Sequence, residues 1–217
     1  MVKSGESRDG LAGALMKKDL YVWFDTEYSD LDLDGAALLQ VASVITDTSL
    51  RRVLPPERDV SLAIRAARGA AVSEWVEQNL PDLLKACRSS SAVDVAEADD
   101  LLSAYVDEAR GARKNRKENR PTLAGNSIHA DWRLARRFLP RFLSRLDYRL
   151  LDVTAFKLEW KRLRPDAEFQ KENREMVRAY FPEAALALGG RHDAHYDVEA
   201  SIAEMGFYRK HLFLQAL

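Results

Sequence analysis

Apolar residues first gather in LYVWFD, residues 20–25, an aliphatic and aromatic run that predicts a strand ending at acids. ALLQVASVITD (37–47) is rich in β-branched residues and predicts a second, mostly buried strand. LRRVLPP (50–56) fits a third strand, closed by Pro55 and Pro56. From Ser61 the pattern turns helical. Val72, Trp75, Val76, Leu80, Leu83 and Leu84 fall near helical spacing, with a break at Pro81. VDVAEADDLLSAYVDEAR (93–110) reads as an amphipathic helix.

The second half alternates. PTLAG (121–125) predicts a strand, NSIHADWRLARRFL (126–139) a helix and YRLLDVT (148–154) a strand, followed by a helix to Leu163. Residues 166–181 are polar with helical tendency, and LALGGRH (186–192) is a loop hinged at Gly189 and Gly190. The last helix, YDVEASIAEMGFYRKHLF, sets Val198, Ile202, Met205, Leu212 and either Tyr208 or Arg209 along one face. No repeat and no linker interrupts the order. Early strands followed by alternating helices and strands predict one α/β domain with a mixed sheet over residues 20–217. Residues 1–19, with no signal-peptide core, read as a disordered tail.

Composition narrows the function classes. Hydrophobic residues make up 47% of the 217, enough for a core. A net charge of −1 argues against an overall basic nucleic-acid coat. A local basic stretch remains in RGARKNRKENRP (110–121). It reads first as a solvated loop and second as a nucleic-acid contact. The single cysteine, Cys87, excludes an intrachain disulfide and suits a reducing compartment, the cytoplasm first and the mitochondrion second. No apolar run is long enough to span a membrane.

FDTEYSDLDLDG (24–35) carries five carboxylates: Asp25, Glu27, Asp30, Asp32 and Asp34. Asp30, Asp32, Asp34 and Gly35 match the start of a calcium-binding loop. Such a loop needs a bidentate Glu where Val41 stands, and helices where strands are expected. That reading fails, and these three acids are assigned to a solvated turn. Asp25 and Glu27 lie two apart at a strand's end, so they share one face of the sheet and can share divalent cations. Further acids come from Asp131, early in a helix, and from HDAHYD (192–197), with His192 and Asp197. Taken singly, Asp131 reads as an N-terminal helix acid and Asp197 as a helix cap.

Together the five residues resemble the DEDDh family of 3′→5′ exonucleases. That family has Asp-x-Glu at the end of a strand, an Asp early in a helix, and His-x-x-x-x-Asp. Within it, GNSIHADWR, YRLLDVT and HDAHYDVEASIAEMGFYRKHL resemble segments of the oligoribonucleases, from about Leu20 to Phe213. The resemblance implies an RNase H-like mixed sheet flanked by helices. It also implies two divalent cations, Mg²⁺ or Mn²⁺, held by Asp25, Glu27, Asp131 and Asp197, with His192 as general base by the family's spacing; His195 is the competing base and otherwise packs or caps locally. Leu31 and Trp75 would contact terminal bases, although Trp75 reads equally well as a core aromatic. Ser127 and Thr154 would bind a 5′ phosphate, joined by Tyr148 and Arg149 from the partner in a homodimer. The substrate implied is short single-stranded RNA, cut to 5′-mononucleotides.

Four features depart from the family pattern. Residues 88–120 and 164–190 are longer, Gln40 stands for a usual Glu, and Leu80 stands where a phosphate-binding His is expected. The basic stretch and the missing His favour a rival reading, a nuclease for longer RNA or DNA. A nucleic-acid-binding protein with a dead site is the third alternative, opposed by the five intact residue types.

Overall fold

The computed structural model describes residues 19–65, 69, 71–113, 120–186 and 193–213. Strand β1 (Leu20–Tyr28) forms because its residues alternate between two buried layers, and β2 (Leu38–Asp47) is buried nearly throughout. They pair antiparallel, with Trp23 opposite Val44 and Glu27 opposite Gln40. β3 (Val60–Ala63) pairs antiparallel with β2 on its other edge. β4 (Thr122–Gly125) joins β1 in parallel, and β5 (Leu150–Asp152) joins β4. The sheet order is β3-β2-β1-β4-β5.

Helices cover both faces. α1 (Glu74–Asn79) and α2 (Pro81–Ala86) follow β3, and then α3 (Val95–Arg110), before β4. α4 (Ile128–Phe138) and α5 (Pro140–Leu143) connect β4 to β5. α6 (Val153–Leu163), α7 (Arg174–Tyr180) and α8 (Ala194–Tyr208) follow, and a π turn at Arg209–Phe213 is the last described element. Val22, Phe24, Ile45 and Leu123 pack with α3, α4 and α5 on one face. Trp23, Val44 and Ala124 pack with α6, α7 and α8 on the other. Leu39, Val76, Leu80, Leu84 and Cys87 form a small third cluster under α1 and α2.

Two expectations are overturned. Residues 50–56 do not form a regular strand: Leu50 turns the chain at φ 62, and pairing with β2 is confined to one isolated bridge, Arg52 with Thr46, flanked by hydrogen bonds from Asp47 N to Arg51 O and from Val53 N to Ile45 O. The third strand is instead Val60–Ala63, where a helix was expected from Ser61. Its two-residue alternation is read by pairing with β2, and helix begins only at Glu74, capped by Ser73. Within 166–181 only Arg174–Tyr180 is helical, capped by Asn173. The last helix is wider in its burial than a single stripe: Val198 to Met205 are all buried because α8 is sandwiched between the sheet and neighbouring helices. Residues 1–18 and most of the basic stretch, 114–119, lie outside the described residues.

Candidate active site

The C-terminal end of β1 points Asp25 and Glu27 toward α8. Asp197 sits in the first turn of that helix, and Asp193 rather than Asp197 is the cap, accepting from His195 N and Tyr196 N. One oxygen each from Asp25, Glu27 and Asp197 lie within 4.8 Å of one another. Asp131 arrives from α4 in the opposite layer. Its Oδ1 accepts from Thr26 N at 2.9 Å and from the Thr26 hydroxyl at 2.7 Å, between the two β1 acids. Four acids named from sequence are thus brought together from three elements. His192 lies outside the described residues.

Burial makes this cluster unstable as four bare charges. It pushes the Asp25 carboxyl well above its ordinary range, reinforced by Asp131, Asp197 and Glu27. Burial with Asp197 and Asp131 raises Glu27 to about 8. Burial raises Asp131 to about 7, against the lowering effect of both Thr26 hydrogen bonds. Oxygen donors at this spacing, crowded enough to hold protons at neutral pH, fit a hard divalent cation.

Several neighbours escaped sequence reading. The Lys171 ammonium contacts Asp197 Oδ1 at 2.8 Å. It lies 26 positions away in an aperiodic segment, so no spacing signalled it. Gln40, opposite Glu27, accepts from Ala194 N at 3.3 Å and so ties the start of α8 to β2 through a neutral amide. Tyr28 and Ser73 join Leu31, Trp75, Val76 and the acids in lining a cleft of about 470 Å³. That size suits a small ligand. Trp75 is half exposed on the cleft rather than a core residue, and Leu31 projects almost fully. Leu80 is buried between α1 and α2 and does not line the cleft.

Asp30, Asp32 and Asp34 behave as turn residues: Asp30 accepts from Asp32 N, Asp32 from Asp34 N, and Asp34 pairs with Arg133. Arg137 adds contacts to the carbonyls of Asp34 at 2.6 Å and Ala36 at 3.2 Å. α4 therefore supplies Asp131 and also fixes the turn that presents Leu31.

GNSI has a physical reading. A Cβ on Gly125 would lie 2.8 Å from Phe24 O, so only glycine lets β4 close on β1 here. Asn126 donates to Ser201 and Glu204 of α8. Ser127, at φ 48, turns its N–H onto Asp152 and Thr154 and sets its hydroxyl 3.2 Å from that of Thr154. Tyr148 is exposed, and Arg149 pairs with Asp147 and lies over the Tyr148 ring.

His195 is turned away from the acids. Its Nε2 meets Asp59 at 2.9 Å, in a buried group where Arg52 also holds Asp59 and Glu199. Burial would lower the His195 pKa, but Asp59 and Glu199 raise it overall. Asp59, His195 and Glu199 have metal-ligand spacing, yet Arg52 already supplies the positive charge.

Comparison with known proteins decides the family. The exonuclease model RNase_T matches residues 22–205. The chain belongs to this exonuclease family. It is 33% identical over 202 residues to an oligoribonuclease of Mycobacterium avium, covering 91% of this chain and 83% of that one. It is 30% identical to a probable oligoribonuclease of Schizosaccharomyces pombe, covering 89% and 69%. It is 26% identical to a human mitochondrial oligoribonuclease, covering 88% and 73%. Among solved structures, exonuclease I of Methylocaldum szegediense superposes with a TM-score of 0.61 at 21% identity, over 88% of this chain and 40% of that one. Pop2p of S. pombe, in a Mg²⁺- and Mn²⁺-bound form, gives 0.55 at 11% identity, over 94% and 88%. These likenesses show the RNase H-like mixed fold. The protein is an oligoribonuclease-like 3′→5′ exoribonuclease, and its acidic group is compatible with divalent metal.

Proposed function

We propose that the protein hydrolyses short single-stranded RNA to 5′-mononucleotides by a two-metal mechanism. The carrying observation is the convergence of Asp25, Glu27 and Asp197 within 4.8 Å, with Asp131 beside them on Thr26. Two divalent cations, Mg²⁺ or Mn²⁺, bound by these four acids would activate water and stabilise the charge gathering on the scissile phosphate. The acids hold the centre, and Thr26 aims Asp131. Leu31 and Trp75 flank the cleft, where an aromatic can stack on any base.

His192 is the general base in this reading. Its ordinary pKa of about 6.5 suits proton transfer at neutral pH. The orientation of His195 toward Asp59 supports that choice, since the other histidine of the motif is already engaged. Ser127, held by Thr154, offers a hydroxyl to a 5′ phosphate next to Asp131, whose charge Asp152 also influences. A homodimer would bring Tyr148 and Arg149 of a second copy to that phosphate. The support is an edge strand, β5, bordered by exposed Tyr148, Leu150, Leu158 and Leu163. Among the described residues no helix is long and apolar enough to cross a membrane.

The test is product analysis on a 5′-phosphorylated dinucleotide. Mononucleotide 5′-phosphates should form with Mg²⁺ or Mn²⁺, and not with EDTA or in Asp197→Asn. Metal-independent turnover would refute the reading.

A further inference from the structure

Lys171 stands in the acidic centre without belonging to any motif. Its ammonium lies 2.8 Å from Asp197 Oδ1, and its charge is felt at both Asp25 and Glu27. The segment that carries it is anchored at several points. The Tyr196 hydroxyl donates to Lys171 O at 2.6 Å, and the Trp160 indole donates to Ala167 O. Gln170 N reaches Met176 Sδ, and Asn173 caps the helix that follows. About a third of the Lys171 side chain is exposed, so it enters from the solvent side of the cluster.

We propose that Lys171 is a resident counter-cation that shares Asp197 with the divalent metal and so weakens metal loading. This inference rests on the metal assignment made above. One carboxylate oxygen cannot serve an ammonium and a divalent cation at full strength. A fixed positive charge a few ångströms from the acids also repels an incoming dication, strongly so where water is scarce. When metal is scarce, the same ammonium relieves repulsion among buried carboxylates. Metal occupancy then becomes a competition set by the free cation concentration.

The experiment uses the full chain as wild type, Lys171→Met and Lys171→Arg. Mn²⁺ binding is measured by calorimetry without nucleotide, and thermal unfolding is followed in EDTA and in Mn²⁺. Lys171→Met should bind Mn²⁺ about tenfold more tightly, melt lower in EDTA and gain more from Mn²⁺. Its half-saturating Mg²⁺ concentration for RNA cleavage should fall in parallel. Lys171→Arg should track wild type and shows that the site tolerates substitution. Unchanged or weaker Mn²⁺ binding in a folded Lys171→Met would overturn the inference, the weaker result making Lys171 a support for Asp197. Wild-type protein that binds no Mn²⁺ would remove the metal reading itself and this inference with it.

Discussion

Thr26 donates twice to a single oxygen of Asp131, through its backbone N–H at 2.9 Å and its hydroxyl at 2.7 Å. Thr26 lies between Asp25 and Glu27 but faces the opposite side of the strand. The alternation of β1 thus lets one short segment supply two acids to one layer and orient a third acid from the other. Such outer-shell partners typically tune metal affinity about ten- to hundredfold. Thr26→Val should weaken Mn²⁺ binding by about that factor, while Thr26→Ser should keep it. Calorimetric titration compares them directly, and equal affinity in all three would show that the hydroxyl is idle.

Asp25→Asn and Asp197→Asn should lose more than about a hundredfold in turnover, as when a group stabilising transition-state charge is removed. Asp25→Asn should also melt higher than wild type in EDTA, because burial and three neighbouring acids disfavour its charge. Melting curves beside turnover assays separate the two effects. Retained turnover would remove Asp25 from the metal site.

The raised acids give a signed pH dependence. Glu27 moves from 4.5 to about 8 and Asp131 from 3.8 to about 7, so both hold protons more tightly folded than unfolded. Their contribution to stability is present below about pH 4 and is lost as pH rises to about 8. Metal-free protein should therefore melt progressively lower across that window. Saturating Mn²⁺ should flatten the decline by replacing protons with cations. A metal-free melting temperature that rises from pH 5 to 8 would contradict the assigned burial.

Arg52 holds Asp59 and Glu199 with almost no side-chain exposure, and Glu199 also accepts from Ala185 N and Leu186 N. Arg52→Met leaves the buried Glu199 without its cation and Asp59 with His195 alone. It should cost about 3–5 kcal/mol of stability. Denaturant unfolding measures it, and a loss below about 1 kcal/mol would mean that water already screens the group.

The sequence was most informative where one strand did several jobs. β1 announced itself as an apolar and aromatic run ending at acids, and its two acids fell on one face because a strand's period allows nothing else. Asp131 and Asp197 were legible as members of an ordered set, although neither is decisive alone. The third strand was missed because Val60–Ala63 is only four residues long and borrows its identity from pairing with β2. Lys171 and Arg137 were invisible for a related reason. Each acts across the fold, on Asp197 and on the turn after β1, and no local period records such a contact.

The proposed preference for short RNA is open to direct test. Leu31, Trp75 and the acids line a cleft of about 470 Å³, from which Leu80 is buried away. Trp75→Ala should lose the stacking of about one base, some 1–3 kcal/mol, chiefly as a higher KM. The most direct measurement is a time course with Mg²⁺ on labelled RNAs of increasing length, from a dinucleotide to a long single strand. Cleavage fastest on the dinucleotide, and abolished by EDTA, is the predicted result. Equal or faster trimming of the longest RNA would contradict a site built for short oligoribonucleotides.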